Sequence, residues 1–496
     1  MRAGSHSGLV SDLMKYPSRA TFGRNAKAAI GEAGARLTLV RDPLRMLLFL
    51  LTIVTISRVH LHYPVLAKLR PVLLLSVAGV AYAFLQPRAL THANVLKHWP
   101  MRMVTIIGVL ACCSAPFGIS LGNSVFFMLD SFIKTLAYAF LIAISIRSVR
   151  DLYTFVWAFA VSCGILAIFA VFVFQLSSAG SQTARLSEMY TYDSNDLGVL
   201  LMIGLPLTLL LLFVERGFKR WLLVLNLIGI SAAMARSGSR GGFLGLVAVA
   251  LASLFLVNGV SVARRTSLLA GGMLALAVAA PPGYWKQMAT IMTPKADYNY
   301  SSIDGRTELI KRGIGYMIQY PVFGLGIWNF AKAECTISPK VAWRPRNQPL
   351  RCTAPHNSFV QAGTELGVTG LVAWVSLLLG LILSPLRLRR RLPKSWRTGL
   401  YSERFVYSAA SFFPVAMCGF AVTSFFVSFA FGDPIYLMAA FVTGLEIVAR
   451  TLLNDQHASI AGAALPSAPA RGGAGWRVRQ SAYRLLGVVP SWSKAG

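Results

Sequence analysis

His356 is the residue from which chemistry can be read most directly. It lies in Ala354-Pro355-His356-Asn357-Ser358-Phe359, where a long polar loop gives way to an apolar run. An imidazole there can take up a proton near neutral pH. Permanent cations accompany it: Arg306 in the same loop, and Arg236 and Arg240 in the turn Ala235-Arg236-Ser237-Gly238-Ser239-Arg240-Gly241-Gly242. Glycines let a backbone approach a ligand closely, and a guanidinium offers phosphate a planar two-point contact. One base with several fixed positive charges suits chemistry on a lipid-borne phosphate. Each residue also has a plainer reading, His356 as a loop hydrogen-bonder and the arginines as interfacial anchors whose stems lie in lipid.

The neighbours of His356 sharpen its role. Asn357-Ser358 is a pair suited to cap a helix, and a helix N-terminus disfavours the imidazolium form. The ring is therefore expected to stay neutral and usable as a general base. Asn357, Arg185 and Arg312 join the candidate site as supporting residues.

Composition fixes what must position these groups. Of 496 residues 55% are hydrophobic and 13% charged, and the mean hydropathy is +0.59. Soluble chains carry about a quarter charged residues, so this is an integral membrane protein. Apolar runs long enough to cross roughly 30 Å of hydrocarbon fall near 43–57, 71–87, 103–117, 125–146, 152–176, 197–214, 221–235, 242–257, 267–283, 365–385, 405–429 and 434–450. The expected fold is all-α, with about twelve transmembrane helices and one large loop bearing amphipathic helices. Residues 1–42 form a basic tail, 43–283 hold nine spans, 284–357 the large loop, 358–450 three further spans around a basic loop at 386–404, and 451–496 a second tail. No cleavable leader precedes the first apolar run, which would itself act as the targeting signal.

Lysine and arginine placement sets the expected orientation. Well over half of the 48 Lys and Arg fall in segments of one side, led by Arg387-Leu388-Arg389-Arg390-Arg391, if both tails are cytoplasmic. The loop 284–357 then faces outward, yet it holds ten Lys and Arg against four Asp and Glu. That excess opposes the topological bias and asks for an anionic substrate. Elsewhere the net charge of +30 suits contact with anionic membrane lipids; no aromatic-interleaved basic patch points to nucleic acid.

Within the loop, 303–320 reads as an amphipathic helix with Leu309, Ile310, Ile314, Met317 and Ile318 on one face, Asp304 as N-cap and Pro321 as terminator. Such a helix lies in the membrane interface. The following 331–353 reads as irregular and contains Cys335 and Cys352, expected to form a disulfide in an oxidising compartment. No cysteine or histidine spacing suits zinc, and no cofactor motif stands out. Inside the spans, Asp130 with Lys134 and Glu446 with Arg450 are spaced to pair along one helix face. An unpaired carboxylate relay and repeated halves, the marks of a transporter, are not read here; a transporter remains the rival class.

Four segments in order carry a resemblance. Ser239-Arg240-Gly241-Gly242-Phe243-Leu244, Gly305-Arg306-Thr307-Glu308, Pro321-Val322-Phe323-Gly324-Leu325-Gly326, and Pro355-His356-Asn357-Ser358-Phe359 with Glu365-Leu366-Gly367-Val368-Thr369-Gly370 resemble the O-antigen ligase / O-antigen polymerase superfamily over about 185–375. The resemblance implies an inner-membrane glycosyltransferase with the all-helical fold of lipid-dependent sugar transferases (GT-C-like). It would take a glycan from undecaprenyl diphosphate at the periplasmic face and pass it, without a metal, to an acceptor hydroxyl with inversion. The acceptor would be lipid A–core in a ligase, a second lipid-linked repeat in a polymerase, and a protein in other members. Arg240 matches the arginine of an Arg-x-x-x-Leu motif closed by Leu244, Arg306 the loop arginine, and His356 the essential histidine. Arg236 and Arg185 have no such match, and the role of Asp193-Ser194-Asn195-Asp196 is left open.

Overall fold

Several of the apolar runs become helices behind a side chain that caps their first turn, Asp42, Ser148, Asp193, Ser239, Ser261 and Asn357 among them. A computed structural model describes residues 42–85, 94–177, 185, 186, 189, 192–257, 261–293, 305–343 and 351–463. Its helices are α1 (Pro43–Ser57), α2 (Pro71–Leu85), α3 (Trp99–Phe117), α4 (Leu121–Ser145), α5 (Val149–Phe172), α6 (Ser194–Val214), α7 (Phe218–Ser237), α8 (Arg240–Leu256), α9 (Val262–Ala279), α10 (Tyr284–Ala289), α11 (Arg306–Gln319), α12 (Phe330–Thr336), α13 (Lys340–Trp343), α14 (Ser358–Arg391), α15 (Tyr401–Thr423) and α16 (Asp433–Ala463). One antiparallel ladder of two-residue strands, β1 (Leu176–Ser177) and β2 (Arg185–Leu186), interrupts the helices. Capping boxes start α5 (Ser148 with Asp151) and α6 (Asp193 with Asp196). Met1–Thr451 forms one compact unit; Leu452–Gly496 is a second, whose described residues reach Ala463.

The chain is an all-α membrane protein. Among the described residues nine helices are long and apolar enough to cross a bilayer, and α1, α2 and α8 are shorter apolar helices. The core centres on α6, which is almost wholly buried and packs on α15, α8, α7 and α5. Small residues set these distances, as in membrane bundles generally. A methyl at Gly198 would meet the Gly242 Cα at 3.2 Å, and one at Gly245 the Thr423 Cγ2 at 2.3 Å.

Several expectations need correction. The span placed at 365–385 is α14, which begins at Ser358 and breaks at Gly367 (φ 76°). The chain at 320–326 fills the break: Leu325 N–H donates to Thr364 O at 2.7 Å and Val368 N–H to Pro321 O at 2.8 Å. Gly324 lies so close to this break that a Cβ would fall 2.5 Å from the Gly367 nitrogen. The span placed at 405–429 ends at Thr423, and residues 424–432 are an irregular segment. Asp130 does meet Lys134, at 3.3 Å, but Glu446 pairs with the His98 Nδ1 at 2.5 Å while Arg450 is exposed. Helical spacing found the acid but not its partner across the bundle.

The loop helix is shorter than expected. It starts at Arg306 with Gly305 as N-cap and no side-chain cap; Asp304 lies outside the described residues. Leu309 and Tyr316 enter a core with Leu325, Phe330 and Val360, joined by Ile310 and Met317 at its edge, whereas Ile314 and Ile318 stay exposed. The apolar residues thus form two rows, and only the row beside Gly313 fits against α14, where a Cβ at Gly313 would meet Val360 at 2.3 Å. Residues 331–353 are not wholly irregular, since α12 and α13 lie within them.

Candidate functional site

His356 is held by two chain segments far apart in sequence. Its N–H donates to Ser428 Oγ at 2.9 Å. The next residue, Asn357, caps α14, its Oδ1 accepting from Phe359 and Val360 N–H at 3.0 Å each. Ser358 then ties α14 to the 424–432 segment: its N–H donates to Ser424 O, its hydroxyl donates to Val427 O and accepts from Phe429 N–H. The backbone of His356 is left-handed (φ 47°), a conformation costing roughly 1–2 kcal/mol in an L-residue. Burial lowers the pKa of its ring below the ordinary value, the Arg306 charge lowers it further, and the Asp193 carboxylate opposes them. The ring is therefore neutral at pH 7.

The two matched arginines each open a helix. Arg306 begins α11, and its guanidinium carbon lies 5.6 Å from the centre of the Phe426 ring. Arg240 begins α8 behind Ser239, whose hydroxyl accepts from Gly242 N–H at 3.0 Å. Phe426 joins the two starts: it presses on Gly241 so closely that a Cβ there would fall 2.7 Å from its side chain. Arg240 Nη1 donates to Thr290 Oγ1 at 3.1 Å, and Thr290 Oγ1 donates to Gln287 O at 2.7 Å. Gln287 Nε2 in turn donates to Gly238 O at 2.9 Å. Gly238 turns the chain between α7 and α8 with φ 58°, and a Cβ on it would lie 3.0 Å from Arg185 Cβ. Arg185 is thus brought to the same turn.

The Asp193–Asp196 stretch belongs here as well. Asp193 Oδ1 caps α6 through Asn195 and Asp196 N–H, at 2.7 and 2.8 Å. Asn195 Oδ1 accepts from the Ser239 hydroxyl at 2.7 Å, which ties the start of α6 to that of α8. Four helix N-termini, those of α6, α8, α11 and α14, therefore converge. Helix N-termini present unpaired N–H groups and the positive end of the helix dipole, so they favour anions.

Two other arginines have structural partners. Arg236 ends α7, and its Nε and Nη2 donate to Ala170 O and Phe174 O at 2.9 and 3.1 Å, closing the end of α5. Arg312 meets the fully buried Glu334 with Nε and Nη2 at 2.8–3.1 Å. Lys340 Nζ reaches the same carboxylate at 3.0 Å, and the Tyr316 hydroxyl donates to it at 3.1 Å. Burial, chiefly, pushes the Tyr316 hydroxyl up to about 12, so it remains a donor. Beside this cluster Cys335 and Cys352 form a disulfide, Cα atoms 5.2 Å apart, and Lys340 Nζ also donates to Arg351 O at 2.8 Å. Crosslink and ion cluster hold one point of the loop, and the ring adds about 3 kcal/mol in a simple chain-entropy account. Thiol labelling of the denatured, unreduced chain is expected to modify four cysteines, and six after reduction; six without reductant would mean the bridge does not form.

Sequence reading did not find Phe426, Ser428, Thr290 or Gln287. Nothing in their local spacing marks them, because each acts through a partner at least forty residues away. Asp193 belongs to the Asp193–Asp196 stretch whose role the sequence leaves open, and its influence on His356 carries no local mark.

Fold and site together define a membrane-embedded helical protein with a cationic site built on helix starts. A family model described as O-antigen ligase matches residues 225–375, which run from α7 into α14 and carry Arg236, Arg240, Arg306, Arg312, Cys335, Cys352, His356 and Asn357. Over these residues the chain is similar to the O-antigen ligase / O-antigen polymerase superfamily, whose members are membrane enzymes of the glycosyltransferase type. No curated protein sequence matches the chain.

Proposed function

We propose that the chain is an O-antigen ligase-like glycosyltransferase of the bacterial inner membrane, with both tails cytoplasmic and its site periplasmic. It moves a glycan from undecaprenyl diphosphate to an acceptor hydroxyl with inversion. The observation that carries this reading is the convergence of Arg240, Arg306 and neutral His356 on four helix N-termini. In a single displacement the acceptor oxygen bonds to the anomeric carbon and the bond from that carbon to the diphosphate breaks. His356 receives the hydroxyl proton, and the electron pair leaves with the diphosphate. Charge grows on the leaving oxygen, and preorganised cations and N–H groups stabilise that growth. Arg240 and Arg306 fill this role; Arg236 and Arg312 brace the elements that carry them. An apolar cavity of about 370 Å³ along α8, walled by α6, α7 and α9, suits part of a polyprenyl chain.

A polymerase would use the same donor half-site with a second lipid-linked repeat as acceptor. For a transporter the break in α14 would be the substrate site, but here the chain's own loop occupies it. The reading also assigns the leaving-group charge to arginine rather than to a divalent cation. Purified full-length protein, supplied with lipid-linked glycans and lipid A–core extracted from a source strain lacking it, is expected to make product in EDTA. Loss of product on chelation, restored by magnesium or manganese, would overturn the metal-independent mechanism.

A further inference from the structure

A second polar space lies at the start of α16, which the 424–432 segment leads into. It is a cavity of about 100 Å³ walled by Thr55 of α1, Ser76 of α2, Ser131, Lys134 and Thr135 of α4, and Asp433 at the start of α16. Asp433 Oδ1 accepts from Thr135 Oγ1 at 2.5 Å. Polar and ionisable groups among spans are costly and mark functional paths when they face a common space. The wall at Ser131 is part of a π-helical turn, Met128–Phe132, that interrupts α4. Such turns recur at functional sites. The cationic site described above uses none of these groups.

The lining also selects its ligand. Asp130 opposes an anion, while Lys134, 3.3 Å from it, and Arg58, close enough to act on Asp433, oppose a metal cation. What suits them is a neutral molecule offering many hydroxyls, because carboxylates accept, an ammonium donates, and serine and threonine do both. Two connections lead from the cavity to the base. Asp433 follows directly on the segment whose Ser428 holds His356. Arg58 lies 3.9 Å over the ring of Tyr192, the residue before Asp193, whose carboxylate acts on His356.

We propose that this cavity is the acceptor subsite, which holds a neutral, hydroxyl-rich sugar of the acceptor beside His356. The inference rests on the reading of His356 as the base and the arginines as the donor site. It ties the acceptor sugar to the base through residues 424–432, which hold His356 at Ser428 and lead into Asp433.

The test uses full-length protein in nanodiscs with two readouts. The first is the thermal shift caused by undecaprenyl diphosphate alone, which reports the donor site. The second is product formation from a fixed amount of lipid-linked glycan across a concentration series of lipid A–core acceptor, both from the source strain lacking this chain. Asp433→Asn keeps the shape of the cavity and replaces one acceptor oxygen with an amide donor; Ser131→Trp fills it from the α4 wall. Both variants are expected to keep the wild-type thermal shift. Their KM for the acceptor should rise about tenfold, as expected when a hydrogen bond is lost, and added acceptor should restore the rate. Wild-type KM in both variants would overturn the acceptor subsite and leave the donor reading intact. Loss of the thermal shift in either variant would also overturn it, by making the cavity part of the donor site or of the fold. Absence of any shift in the unaltered protein would instead sink the donor reading on which the inference stands.

Discussion

His356→Ala is expected to lower glycan transfer by roughly 100- to 10,000-fold, the range over which a positioned general base acts. The protein should remain inserted and folded, because the backbone N–H to Ser428 and the Asn357 cap do not involve the imidazole. Gel analysis of product lipid or polymer, with the variant's membrane level matched to wild type, reads the effect. Wild-type product would return the histidine to a structural role. The pH dependence gives an independent check of sign. Burial and Arg306 lower the ring's pKa below its ordinary value, and a base works only when deprotonated. Activity should therefore persist below pH 6.5, where an unperturbed histidine would already be half protonated, and fall as pH drops through the lowered pKa. Asp193 pulls that pKa upward, so Asp193→Asn should move the acid limb to still lower pH. A limb unmoved by that substitution, or centred above 6.5, would contradict the assignment.

Arginine geometry carries the second large effect. Arg240→Lys and Arg306→Lys are each expected to cut transfer by about 10- to 100-fold, the equivalent of a lost charge-assisted hydrogen bond of about 1.5–3 kcal/mol. An ammonium is a compact point charge and cannot copy a planar two-point contact. Arg306→Lys also gives up the guanidinium stacking over Phe426. Full activity with lysine at both positions would show that generic positive charge suffices. Arg236→Lys tests something else, because its guanidinium holds the carbonyls of Ala170 and Phe174. Its principal cost should appear in thermal stability rather than in the use of donor.

Much of the helical frame could be read in the sequence because apolar runs and capping residues are local signals. Asp193, Ser239 and Asn357 each stand directly before the helix they cap. The break in α14 was hidden because a single glycine inside a span carries no periodic mark. The partner of Glu446 was missed for a related reason: helical spacing offers Arg450, while His98 lies across the bundle. At the site, His356, Arg240 and Arg306 could be nominated from residue chemistry. What brings them together could not, since no local pattern says that Phe426 rests on Gly241 or that Ser428 holds the histidine. Arg312 shows the reverse case. Its charge was plain in the sequence, and only the buried Glu334 explains where that charge is spent.

The four converging helix starts have a consequence for how the site answers to its surroundings. Part of its attraction for anions comes from peptide groups, each helix end giving about 0.3–1 kcal/mol. Peptide dipoles do not titrate, and no side-chain substitution deletes them. Removing either guanidinium should therefore weaken the grip on a diphosphate without abolishing it, and alkaline pH should leave the backbone share untouched. As pH changes, an electrophilic pocket wired into the main chain keeps that share of its polarity, while His356 gains or loses its proton.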